Sequence, residues 1–147
     1  MAGAEAKATA LGGYRLEDQV GFYLRRAGQR HAAIFAGHMI DELTPTQWAA
    51  LVKLAEFESL SQNLLGRETA MDAATIKGVV DRLLKRGFVK TAPDPEDGRR
   101  MRVSITREGV AAVARGVSAA TAITAETLQP LDAAEQRALV ELLRRIG

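Results

Sequence analysis

Apolar positions repeat at helical spacing along most of the chain and alternate over one short stretch. From about Leu16 to Leu43, Val20, Leu24, Ala27, His31, Ile34 and His38 fall in steps of three and four, which predicts one long helix. Arg25, Arg26, Gln29 and Arg30 lie off that stripe. Thr44 then offers an N-cap oxygen, and Pro45 suits a first helical position, where its missing N–H costs nothing. They start a second helix with Trp48, Leu51, Val52 and Ala55 on its apolar face. Glu58 to Ser61 is a break, and Ser61 caps a short third helix, Gln62 to about Glu68, that turns Leu64 and Leu65 inward. After a turn at Thr69–Met71, Asp72 caps a fourth helix that runs to Arg86, with Gly87 as its stop. Ile76, Val79, Val80, Leu83 and Leu84 form its buried stripe, while Ala74, Thr75, Lys77, Gly78, Asp81, Arg82 and Lys85 face away.

The period then changes from 3.6 to 2. Phe88–Ala92 and Met101–Ile105 read as strands, and the turn formers from Pro93 to Arg100 make them a hairpin with a long charged tip. Thr106 caps the next helix, in which Val110, Val113, Val117, Ile123 and Leu128 point toward a partner, and Pro130 ends it. Asp132 with Glu135 resembles a capping box ahead of a last helix carrying Leu139, Leu142, Leu143 and Ile146. The fold class is therefore mainly α with a small β-hairpin. Residues 1–13, rich in Ala and Gly, read as a flexible arm.

Composition narrows the function classes. The chain has no cysteine, so disulfides, thiolate metal sites and a cysteine nucleophile are excluded. No apolar run reaches the roughly 20 residues of a membrane span, and the first residues lack a signal-peptide core, so a cytoplasmic protein without a membrane partner is expected. His31 and His38, with Asp41 and Glu42 nearby, do not form a compact ligand set, and no metal or other cofactor is expected. No phosphate-binding glycine loop, HExxH or nucleophile elbow is present, so the chain does not read as an enzyme.

Charge is more telling in its distribution than in its sum. From Gly66 to Arg107 there are ten basic and six acidic residues, a net +4 against +2 for the whole chain, so the remainder carries −2. A basic segment in an otherwise slightly acidic chain suits a polyanion. Helix, turn, helix and basic hairpin together suit double-stranded DNA. A recognition helix buries one face and offers the other to the major groove. Ala74 and Gly78 allow close backbone approach, Thr75 offers a hydroxyl and a methyl, and Lys77 and Arg82 reach phosphates or guanine edges. Arg99 and Arg100 project from the hairpin tip, where arginine enters narrow minor grooves, and Asp97 is placed to brace them. A winged helix used for protein contact without DNA is the alternative reading.

The runs Leu43–Leu51, Asp72–Val89 and Asp94–Gly109, above all the Asp97-Gly98-Arg99 wing followed by an alternating strand and Thr106-Arg107-Glu108-Gly109, resemble the MarR family of regulators. The resemblance spans roughly Tyr14 to Ile146. It implies a winged helix-turn-helix over 44–105 and a helical dimerisation region made of 14–43 and 106–147. It also implies a homodimer on a palindromic operator, usually a repressor of a catabolic or stress-response operon, released by a small aromatic or anionic ligand. By the same match Ser61 and Gln62 open the helix that abuts the DNA backbone. Lys77-Gly78 departs from the hydroxyl or arginine common at those positions, which bears on the operator sequence. Met71–Arg82 resembles a subgroup linked to aromatic-compound catabolism, where ligands are aromatic acids or their CoA thioesters. The effector pocket implied by the resemblance lies between the dimerisation helices and the winged domain. Its candidates are Arg25, Arg26, Arg30, His31, Phe35, His38 and Trp48, the arginines for an anionic ligand.

Overall fold

A computed structural model describes residues Ala2 to Gly147. Its elements are α1 (Ala2–Leu11), a 3-10 turn (Leu16–Asp18), α2 (Val20–His38), α3 (Pro45–Phe57), β1 (Ser59–Ser61), α4 (Gln62–Glu68), α5 (Ala73–Lys85), β2 (Val89–Pro93), β3 (Met101–Ile105), α6 (Arg107–Leu128) and α7 (Ala133–Ile146). The flexible arm expected over 1–13 contains α1, a helix that buries none of its residues.

The helix expected over Leu16–Leu43 is shorter at both ends. It begins at Val20 after the 3-10 turn and stops at His38, where Met39 turns extended at φ −66° and ψ 141°, and Asp41 and Glu42 beyond it take left-handed angles, φ 56° and 52°. The N-caps read from the sequence are in place. Thr44 and Gln47 form a capping box on α3, Ser61 caps α4, Asp72 caps α5, and Thr106 caps α6. Asp132 and Glu135 close a second box on α7. Gly87, at φ 74°, turns the chain out of α5 as only a residue without a β-carbon does easily.

One core lies under the winged part. Leu51 and Leu54 of α3, Leu65 of α4, Ile76, Val80 and Leu83 of α5, and Val103 of β3 are wholly buried together. Two faces differ from the sequence reading. In α3 the buried residues are Gln47, Ala50, Leu51 and Leu54, a face turned about one residue back from the expected one, and Ala55 is exposed. The cause is that α3 has neighbours on two sides, α5 beneath and α6 beside it, and Trp48 serves the second. In α5, Leu84 lies at the edge of the stripe and stays exposed.

The hairpin of β2 and β3 gains a third strand, giving an antiparallel sheet in the order β1–β3–β2. Leu60 of β1 sits opposite Val103, and Val89 of β2 sits opposite Ile105. The Ser104 hydroxyl donates to that of Ser59 at 3.0 Å. The break expected at Glu58–Ser61 thus holds the strand that ties the wing to the helix-turn-helix.

Outside this core, the packing is sparse. α2 runs along α6, yet Phe35 is its one buried residue, and α7 buries none. Between α2, the end of α6 and α7 lies an open apolar groove of about 830 Å³, walled by Val20, Leu24, Leu128, Leu139 and Leu143. Among the described residues, no helix is long and apolar enough to cross a membrane.

Candidate nucleic-acid interface

Helices α4 and α5 meet at a short turn, and α5 carries the outward face read from the sequence. Ala74, Thr75, Lys77, Asp81, Arg82 and Lys85 are exposed, and Gly78 is half-buried. Cations gather in the last turn of α5, Arg82 and Lys85, where the helix dipole favours them. At the other end the Asp72 carboxylate accepts the backbone N–H of Thr75 at 2.7 Å. That bond, with a contribution from Ala74, holds the Asp72 carboxyl below its ordinary value. The Thr75 N–H at the start of α5 is therefore already taken by a protein carboxylate.

Lys77 donates to Asp81 one turn on, at 3.0 Å. Positions four apart on a helix share a face, which brings the two side chains together. The pair is well exposed and adds little to folding. It balances one acid on a surface otherwise basic.

The wing is built around two acids. Asp97 pairs with Arg99 at 3.4 Å and with Arg100 at 3.6 Å, and accepts the Arg99 backbone N–H at 3.1 Å. Asp94, largely buried at 12% exposure, pairs with Arg102 at 3.7 Å, and Arg102 also donates to the Ser59 carbonyl at 3.4 Å. The tip is thus stiffened from within, while Arg99 stays 93% exposed. Ser61 and Gln62 open α4 beside this sheet, and the Ser61 hydroxyl accepts the Leu64 N–H at 3.2 Å.

The seven effector candidates do not form one cluster. Arg30 donates to the carbonyls of Thr127 and Glu126 at 2.8 and 2.9 Å. His31 bonds the Thr127 hydroxyl at 2.8 Å, and His38 pairs with the Glu126 carboxylate. These three residues fasten α2 to the end of α6. Phe35 is buried one helical turn from His31, with ring centres 6.5 Å apart. Arg25 and Arg26 are exposed, the latter over the Phe22 ring at 5.6 Å. Trp48 lies against Gly116 of α6. Of the seven, only His31 lines the groove.

Sequence reasoning missed the residues that join the elements. Arg115 of α6 donates to Asp41 at 2.8 and 3.2 Å, and Arg86 at the end of α5 donates to the Asp41 carbonyl. The partners are 74 and 45 residues apart, and no periodicity carries such a signal.

Comparison with known proteins gives this arrangement a family. The MarR family pattern matches residues 41–100, from the α2–α3 turn to the wing. The HTH-type transcriptional repressor NicR of Pseudomonas putida is 39% identical over 134 residues, covering 90% of this chain and 85% of that protein. The crystal structure of a probable transcriptional regulator from Pseudomonas aeruginosa is 54% identical with a TM-score of 0.87, covering 90% of this chain and 100% of that one. BpsR of Bordetella bronchiseptica, whose DNA binding is regulated by 6-hydroxynicotinic acid, is 39% identical with a TM-score of 0.87, covering 90% and 96%.

Proposed function

Because the chain belongs to the MarR family of transcriptional regulators, we propose that it is a homodimeric repressor that holds a palindromic operator and leaves it when a small aromatic acid binds. The observation that carries this reading is the set of exposed cations on the outward face of α5, Lys77, Arg82 and Lys85, together with an exposed Arg99 braced by Asp97 on the wing. In this reading α5 enters the major groove. Ala74, Thr75 and Gly78 lie close to the bases, and Lys77 and Arg82 reach base edges or phosphates. Arg99 and Arg100 enter the adjoining minor groove, and Ser61 and Gln62 meet the backbone beside α4.

The dimer is supported by the apolar faces left open on α2 and α7. An exposed groove of about 830 Å³ between helices this apolar suits the same helices of a second copy. An aromatic acid is supported by the likeness to BpsR. It is supported also by His31 at the groove wall. A regulator of this kind works where the chromosome is, in the bacterial cytoplasm.

Selection of bound fragments from the source genome, at two salt concentrations and with or without 6-hydroxynicotinic acid, tests the reading. The expected result is a palindrome with half-sites about one helical turn apart, bound less tightly at higher salt and released by the acid. Binding to protein partners with no salt-dependent DNA enrichment would refute it. Operator binding that no aromatic acid alters would refute the effector alone.

A further inference from the structure

The turn between α2 and α3 is gripped from two sides at one residue. Asp41 and its neighbour Glu42 stand at φ 56° and 52°, a region uncommon for residues with a side chain and most accessible among them to Asp and Asn. Arg115, midway along α6, places Nη2 at 2.8 Å and Nε at 3.2 Å from the same Asp41 carboxylate oxygen. Arg86, the C-cap residue of α5, donates Nη2 to the Asp41 carbonyl and Nη1 to Gln47 at 3.5 Å, with its guanidinium 4.8 Å from the Phe88 ring centre. Gln47 is buried and closes the capping box of α3. Asp41 thus takes the recognition helix on its carbonyl and the long helix of the dimerisation region on its carboxylate.

The Asp41–Arg115 pair is half-exposed, and pairs of that kind contribute little to stability. What it does fix is an angle. The 13 residues of α5 span about 20 Å at ~1.5 Å per residue. A tilt of about 10° about the Arg86 end moves the other end by roughly 3.4 Å, close to one base-pair step of ~3.4 Å. A small change of angle at Asp41 would therefore displace the far end of α5 by a distance on the scale of a base-pair step.

We propose that Asp41, held by Arg115, is the positioning residue that sets the separation of the two recognition helices. This rests on the homodimeric, operator-binding reading above. The test uses the full chain and a series of palindromes whose half-site separation changes by single base pairs. The wild-type protein should prefer one separation. Arg115→Ala lies on an exposed helix surface and leaves the core untouched. It should flatten that preference at least about fivefold, with melting temperature and salt slope unchanged. Asp41→Asn, which keeps a residue tolerant of the left-handed region, should act in the same direction, and Arg115→Lys should restore part of the preference. An Arg115→Ala protein that keeps the wild-type preference would overturn the proposal, as would an equal loss of affinity at every separation. A wild-type protein with no preference for any separation would overturn the dimeric reading, and this proposal with it.

Discussion

The ring of Trp48 occupies the space that a β-carbon on Gly116 would need. This contact docks α3, and with it the winged core, onto α6. Overpacking a filled site of this sort costs about 1–3 kcal/mol. Gly116→Ala should therefore lower the melting temperature by several degrees, followed through the emission of the chain's one tryptophan. An unchanged melting temperature and emission maximum would mean that α3 and α6 are less closely docked than the structure has them.

The same contact marks the boundary of what the sequence discloses. Caps, the buried stripe of α5 and the two long wing strands are local. Ser61, Asp72, Thr106 and the Asp132–Glu135 box announce themselves by residue type and spacing. β1 does not, because Ser59-Leu60-Ser61 has one apolar residue and becomes a strand only by pairing with β3. The face of α3 was misjudged for a related reason. Periodicity finds one apolar stripe, and a helix with two neighbours has two. The outward face of α5 and the Asp97 brace were legible because they are patterns of neighbours. The fastenings at Arg30, His31, His38 and Asp41 were not, because each partner comes from the far side of the chain.

Asp72 makes the start of α5 sensitive to acid. Its carboxyl is held below the ordinary value of 3.8 by accepting the Thr75 N–H. A group whose folded value is depressed stabilises the fold fully above the ordinary value and loses that contribution as pH falls through the depressed one. Melting temperature should therefore be insensitive to this group at neutral pH and should drop below about pH 4. Asp72→Asn keeps a good cap but removes the titration, so its acid limb should be shallower than that of the wild type. Parallel limbs for the two proteins, measured from pH 6 down to pH 3, would show that the Asp72 bond is not made.

Arg99 and Lys77 are expected to fail differently. Arg99 is almost fully exposed at the tip, so Arg99→Ala should leave folding unchanged and weaken operator binding on the order of tenfold. Lys77 is paired with Asp81 at 3.0 Å in the absence of DNA. If it leaves Asp81 for a phosphate, Lys77→Ala should reduce the log–log salt slope by about 0.9 and weaken all sequences alike. If it reads a base, the preferred sequence should change and the slope should not. Titrations of operator and scrambled fragments at several salt concentrations separate these outcomes, and unaltered affinity in Arg99→Ala would remove the wing from the interface.

Leu142 and Leu139 test the second copy without disturbing the protomer's core. Both lie on α7, which buries no residue, and they are 53% and 36% exposed. In a lone chain, glutamates at these positions stay within reach of water, since neither side chain is buried. Under a partner's helices the same carboxylates would be stripped of water without a counter-charge, which is strongly unfavourable. The Leu139→Glu, Leu142→Glu protein should thus run as a monomer by light scattering while keeping the Trp48 emission of the intact winged core. Operator affinity should fall by about two orders of magnitude or more, because two linked half-sites become two separate binding events. A dimer of wild-type mass would show that α7 lies outside the interface. A monomer with wild-type operator affinity would show that one winged domain suffices for binding.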